Sequence, residues 1–307
     1  MQTENDIDPA ALADASRARR AIDPGRYFES TEIKSIVNRA VEYAAAGVCV
    51  HFKGTAGVGK TSLAMRVAEL VGRPVSFMVG NECLTAQDFI GREGGFTTSS
   101  LVDQYVHSVR RTEQKTTQDW STSLLGDAME TGKTLIYDEF TRASPQANAT
   151  LLSVLEERLL ISTHPSNPRA YLRAHPDFRI ILTSNPHDYV GVNAAPDALL
   201  DRVVTFPIQE PSLATMGGIV SQRTGLDEAL AAKIVHLVCQ IRDATDAGCM
   251  SVLRSALLIA RITANSGDRK QIASTRLIDI ATTVLTGRGF RTNSKQVSSA
   301  LLTKTAA

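Results

Sequence analysis

The sequence predicts an α/β fold: a parallel-sheet core with a phosphate-binding loop, followed by a small all-helical domain. Three observations carry this. Short β-branched apolar runs alternate with helical periods through the first two thirds of the chain. A glycine-rich segment joins one of those runs to a helix. After Pro207 and Pro211 only helical periods remain. The chain of 307 residues is 43% hydrophobic but only 5% aromatic, which suits aliphatic helices packed on a buried sheet.

Residues 1–26 are polar and Ala-rich without a clear period and read as a flexible tail or a loose helix. Glu32–Ala46 carries Ile33, Ile36, Val37, Ala40, Val41 and Ala44 at helical spacing and stops at Gly47. Val48–Lys53 reads as a strand running into glycines, Thr61–Val71 as the helix beyond them, and Pro74–Val79 as a second strand. Thr134–Tyr137, Arg179–Thr183 and Val203–Phe206 are further buried strands. Ser144–Leu160 reads as one helix, with Ser144 as cap, Pro145 at the first position, and Leu151, Val154, Leu155 and Leu159 on one face. In the last third, Leu226–Asp246, Val252–Ala264 and Leu277–Leu285 have helical periods. The expected division is a tail at 1–26, a core at 27–209 and a helical domain at 210–307.

Gly54-Thr55-Ala56-Gly57-Val58-Gly59-Lys60-Thr61 fits G-x-x-x-x-G-K-[ST]. Glycines let the backbone curl so that its N–H groups converge on a phosphate. Lys60 supplies charge to the β- and γ-phosphates, the Thr61 hydroxyl is a ligand for Mg²⁺, and the following helix adds its positive end. By chance the fixed positions would match in roughly one chain per hundred of this length, so a strand before and a helix after make the loop a strong signal for ATP.

Leu135-Ile-Tyr-Asp138-Glu139 ends a strand with two carboxylates, and ligands of open α/β sheets sit at the carboxyl ends of strands. Asp138 is placed to hold Mg²⁺ and Glu139 to act as general base toward water. Ile181-Leu-Thr-Ser-Asn185-Pro brings an amide to another strand end, where Asn185 can orient the same water or meet the γ-phosphate. Pro196-Asp-Ala-Leu-Leu-Asp-Arg202 puts an arginine at a helix end before the last strand. Ser251-Val-Leu-Arg254 through Arg261 sets two arginines on one helix face. By spacing alone the three arginines read as solvated.

Together, in this order, these residues resemble an AAA+ ATPase. Asp138–Asn148 (Asp-Glu-Phe-Thr-Arg-Ala-Ser-Pro-Gln-Ala-Asn) with Leu151–Glu157 is similar to the MoxR branch. Tyr105–Val109, Trp120, Leu135–Arg142 and Thr183–Gly191 resemble, within that branch, the gas vesicle protein N family, over roughly residues 22–265. The resemblance implies that the helical domain is the AAA+ lid and that the active form is a homo-oligomeric ring, usually a hexamer. It implies that Arg254 senses the γ-phosphate from the lid and that Arg202 reaches the neighbour's ATP as an arginine finger. It also implies an ATP-driven role in gas vesicle assembly, acting on shell or accessory proteins, in the cytoplasm or on the vesicle. Gly94–Thr112, set within a helical region, and Arg158–Asp177, a hairpin, are read as inserted elements. Relatives direct such hairpins at the ring pore or a partner, and a plain surface loop is the other reading.

Lys plus Arg number 33 against 32 Asp plus Glu, so the basic excess of a DNA-binding chain is absent and no nucleic-acid partner is expected. Cys49, Cys83, Cys239 and Cys249 lack zinc-ligand spacing, and the six histidines are scattered, so no zinc site is expected. No apolar run approaches a membrane span and no leader is expected. A MoxR-type chaperone for another client, such as one activating rubisco or inserting a metal, is the alternative, and a nucleic-acid motor a more distant one.

Overall fold

The computed structural model describes residues 27–103, 111–162, 167, 170–185, 193–245, 250–265 and 274–302. Tyr105–Val109 and Pro186–Gly191 lie outside these residues, as does the segment before Tyr27. The first elements are α1 (Thr31–Ala45), β1 (Cys49–Gly54), α2 (Lys60–Val71) and β2 (Val75–Val79). Next come α3 (Ala86–Ile90), β3 (Gly91–Asp103), β4 (Arg111–Thr122), α4 (Leu124–Thr131) and β5 (Thr134–Asp138). A 3₁₀ turn (Phe140–Arg142) leads into α5 (Pro145–Ala149), α6 (Leu151–Glu156), β6 (Leu159–Ile161), β7 (Tyr171–Arg173) and β8 (Arg179–Ser184). The chain ends in α7 (Asp197–Leu200), β9 (Val203–Ile208), α8 (Leu213–Thr224), α9 (Glu228–Ala244), α10 (Val252–Asn265), α11 (Ser274–Gly287) and α12 (Ser294–Leu302).

Five strands make one sheet in the order β2-β5-β8-β1-β9. β2 runs parallel to β5, with Val79 opposite Asp138, and β5 runs parallel to β8, with Tyr137 opposite Leu182. Helices return the chain between these strands, as parallel pairing requires. All five strands were legible from their β-branched runs. Two antiparallel pairs stand apart, β3 with β4 and β6 with β7. The insertion read at Gly94–Thr112 belongs to the first pair, which begins at Gly91 opposite Thr122. The hairpin read at Arg158–Asp177 is the second, with Ile161 opposite Tyr171.

The chain divides into two compact units. One comprises the residues up to Arg39, Phe52–Met65 and everything from Phe206 onward; the other comprises Ala40–His51 and Arg66–Thr205. The second unit is centred on a core of Phe89, Leu125, Met129, Leu135, Tyr137, Phe140, Leu151 and Leu182. Buried His51 ties three strands there: its Nδ1 lies 2.9 Å from Thr205 Oγ1 and its Nε2 2.8 Å from Ser184 Oγ. The first unit packs α8–α12 around Ile234, Val235, Leu237, Val238 and Ile241 of α9. Capping follows the sequence closely. Ser123, Ser144, Ser212 and Asp227 each accept a backbone N–H of the helix they precede.

One element departs from its sequence reading. Ser144–Leu160 is not a single helix but α5, α6 and the start of β6. Thr150 N–H bonds back to Ala147 in a tight i→i+3 turn. Arg158 then turns the chain with φ +57°, which takes Leu159 out of the helix and into a strand. The guanidinium of Arg158 donates to the carbonyls of His175, Pro176 and Phe178, contacts across the hairpin that no local period encodes. Burial, and then the charge of Arg179, hold the Arg158 pKa below its ordinary value.

Leu237, buried in the middle of α9, has no room to be replaced by solvent. Leu237→Ala is expected to destabilise the helical part by about 2–5 kcal/mol, read as a lower midpoint in chemical denaturation.

Candidate active site

The phosphate loop lies in the first unit. β1 stops at Gly54 and α2 begins at Lys60, so the loop feeds a 12-residue helix whose positive dipole end lies at the loop. Gly57 and Gly59 have φ of +88° and +96°, a left-handed backbone that a side chain would strain. At Gly57 there is a second reason for glycine. A Cβ there would lie 2.3 Å from Ser251 Oγ and 3.0 Å from Arg254 Cδ, so the start of α10 presses directly on the loop. Ser251 Oγ accepts the Arg254 N–H at 3.2 Å, capping α10 at the point of contact. Lys60 is only 6% exposed, and its Nζ donates to Thr55 O at 2.8 Å.

Further cations gather in this unit. Arg223 of α8 approaches Ser62 Oγ at 3.4 Å, and burial first, then the charge of Arg261, push its pKa below the usual guanidinium value; Tyr27 opposes the shift. Arg254 is exposed. A glycine loop opening a helix, a buried ammonium and guanidinium groups nearby suit a polyphosphate.

The acidic pair lies in the second unit. Asp138 is the last residue of β5, and Glu139 follows with φ +53°, ψ +41°. A non-glycine residue in that region costs about 1–2 kcal/mol and is held there by its neighbours. Gly80 N–H donates to Asp138 O at 2.7 Å. A Cβ at Gly80 would stand 2.2 Å from Glu139 O, so only glycine fits beside the turn. Below it, Tyr137 OH donates to Asn148 Oδ1 at 3.1 Å and Asn148 Nδ2 donates to Phe140 O at 3.0 Å, fixing the 3₁₀ turn from within the core. Thr183 of β8 accepts the Glu139 N–H at 2.9 Å and donates to Asp138 Oδ1 at 2.5 Å. The Glu139 carboxylate meets Arg142 Nε at 2.5 Å.

Asn185 follows β8 directly and is 6% exposed. Arg202 sits between α7 and β9. It donates to Glu156 Oε2 at 2.9 Å through Nε and 2.5 Å through Nη2, and to Ala198 O at 2.5 Å. The predicted residues thus fall into two sets. Asp138, Glu139, Asn185 and Arg202 share one unit; the loop and Arg254 share the other. Thr183, Gly80, Asn148, Arg142 and Ser251 were not singled out for roles from the sequence. Thr183 had a signal: it is two residues from Asn185, hence on the same side of an extended chain.

A family model of the AAA domain (dynein-related subfamily) matches residues 50–203, half of the chain. A gas vesicle ATPase GvpN of Ancylobacter aquaticus is 37% identical over 264 residues, covering 86% of this chain and 74% of its own. The chain belongs to the GvpN family of AAA+ ATPases. A second member, the gas vesicle ATPase GvpN1 of Halobacterium salinarum, is 34% identical over 85% of this chain and 74% of its own. Protein CbbQ of Hydrogenophilus thermoluteolus, a relative of the MoxR type, is 23% identical over 67% of this chain and 70% of its own. Like the family, the chain binds nucleotide and hydrolyses ATP. Among the described residues no helix is long and apolar enough to cross a membrane.

Gly80→Ala adds one methyl against the Glu139 carbonyl, and backbone rather than a flexible side chain must yield. Phosphate release is expected to fall at least about tenfold, the scale of loss when a reacting group moves by a fraction of an ångström to an ångström, while circular dichroism shows the fold retained.

Proposed function

We propose that this chain is a Mg²⁺-dependent ATPase that works as a ring to drive gas vesicle assembly, with shell or accessory proteins as its clients. The observation that carries the reading is the extent of the family match, 264 residues, which is more than the chain ahead of the helical part can hold and so extends into that part. In this reading residues 27–209 form the core and 210–307 the lid.

The residues present suit Mg²⁺: the Thr61 hydroxyl and the Asp138 carboxylate are hard oxygen donors of the kind that ion takes. Bound there, the ion would neutralise charge on the phosphates. Lys60 and the loop N–H groups hold the β- and γ-phosphates. Glu139 takes the proton of the attacking water, and the Asn185 amide orients that water. Arg254 adds positive charge at the γ-phosphate from the lid. Arg202 of the partner subunit stabilises the charge developing on the transferred group, a contribution documented at about 10³–10⁵ in rate. To serve a neighbour, Arg202 exchanges Glu156 for phosphate. An exposed pair of this kind holds by only about 0–1 kcal/mol, so the exchange is easy.

Two experiments test this. Lys60→Ala is expected to abolish ATP binding, and Glu139→Gln to bind ATP but release no phosphate. Arg202→Ala should also be inactive alone yet keep its own nucleotide. Mixing Arg202→Ala with Glu139→Gln should restore part of the activity, increasingly so at higher protein concentration. Mixed rings without any recovery would refute the shared site. Purified from its own cell, the Glu139→Gln protein should retain gas vesicle proteins; retention of an unrelated enzyme instead would favour the MoxR-type alternative.

Arg254 supplies a separate check. Arg254→Ala should weaken ATP by more than ADP, measured as the two dissociation constants, because only ATP carries the γ-phosphate. Equal losses would assign Arg254 to packing.

A further inference from the structure

We infer that Thr183 is a positioning residue that sets both acids of the pair through one hydroxyl. It is fully buried on β8, one strand away from the acids in the sheet. Its hydroxyl carries a single proton. The Glu139 backbone N–H can only donate, so the hydroxyl oxygen accepts there, at 2.9 Å, and its proton is left for Asp138 Oδ1, 2.5 Å away. Both roles are filled at once and the direction of each bond is determined.

The two bonds do different things. The charge-assisted bond to Asp138 stops the carboxylate from rotating and so presents it in one orientation. The bond from Glu139 anchors the amide of a residue whose backbone is left-handed, and thereby the direction in which the Glu139 side chain leaves the strand. The opposite flank of the same turn is closed by Gly80 and the inner flank by Asn148. Thr183 is the member of this group whose side chain hydrogen-bonds to both acids. Asn185, two residues on, is the group assigned to water; Thr183 acts on the acids and through them.

The inference rests on the proposed roles of Asp138 and Glu139, and its test separates the two. Affinity for a fluorescent ATP analogue is measured with Mg²⁺ and with EDTA, using proteins that also carry Glu139→Gln so that nothing turns over. Thr183→Val keeps the shape and removes the hydroxyl. It is expected to lower the Mg²⁺-dependent gain in affinity by about tenfold, the scale of a hydrogen bond to a charged group, and to leave affinity in EDTA unchanged. Thr183→Ser is expected to restore the gain. In proteins with Glu139 intact, Thr183→Val should reduce the maximal rate by about tenfold or more at saturating Mg²⁺-ATP, and Thr183→Ser should recover it. An unaltered Mg²⁺ gain in Thr183→Val, or Thr183→Ser failing as badly as Thr183→Val, would overturn the inference. Where Thr183→Val does not fold, Thr183→Ala is read in the same way. Asp138→Asn is the control on the underlying reading: a full Mg²⁺ gain in that variant would overturn the role of Asp138 itself, and the inference with it.

Discussion

The geometry of this ATPase hangs on one constrained residue, Glu139, held with a left-handed backbone at the carboxyl end of β5. That conformation is unfavourable for any side chain with a Cβ, and it persists because the surroundings allow no other. Gly80 leaves no space on one side, Thr183 binds the amide on another, and Asn148 holds the following turn from the core. Each of these comes from a different element: the loop after β2, strand β8 and helix α5. The acid is therefore aimed by the packing of the sheet and not by its own local sequence.

The phosphate loop shows the same economy in the other unit. Gly57 serves two masters, the left-handed curl of the loop and the close approach of Ser251 and Arg254. The helix that delivers Arg254 is capped by the very serine that touches the loop. Loop and arginine thus meet at one contact, which makes α10 part of the unit that carries the loop and not an appendage to it.

Much of this was legible in the sequence, and the exceptions have a physical cause. All five strands of the sheet, the loop glycines and the Ser144 cap are local signals: β-branched runs, fixed spacings and a side chain that reaches its own backbone. Where the reading failed, the deciding contact was distant in the chain. Ser144–Leu160 kept its helical period on paper, but Arg158 satisfies carbonyls seventeen to twenty residues away and turns the chain before Leu159. Thr183 sat inside a quoted segment without a role, because its partner acids are 44 and 45 residues away and only strand pairing joins them. The pairing of Arg202 with Glu156 was likewise invisible, since an arginine before a strand says nothing of which carboxylate it will find.

The β3–β4 pair adds a mechanical property. Its strands are 13 and 12 residues long, so the ribbon reaches about 40 Å at roughly 3.4 Å per residue, more than twice the usual strand. The register slips between Glu93 and Phe96, near the start of the ribbon. A bulge there is a natural place for bending. With an arm of that length, a rotation of about 5° at the base moves the far end by about 3 Å. The ribbon is in effect a lever: a small rotation at its bulged start becomes a displacement the size of an atom at the far end of the paired strands.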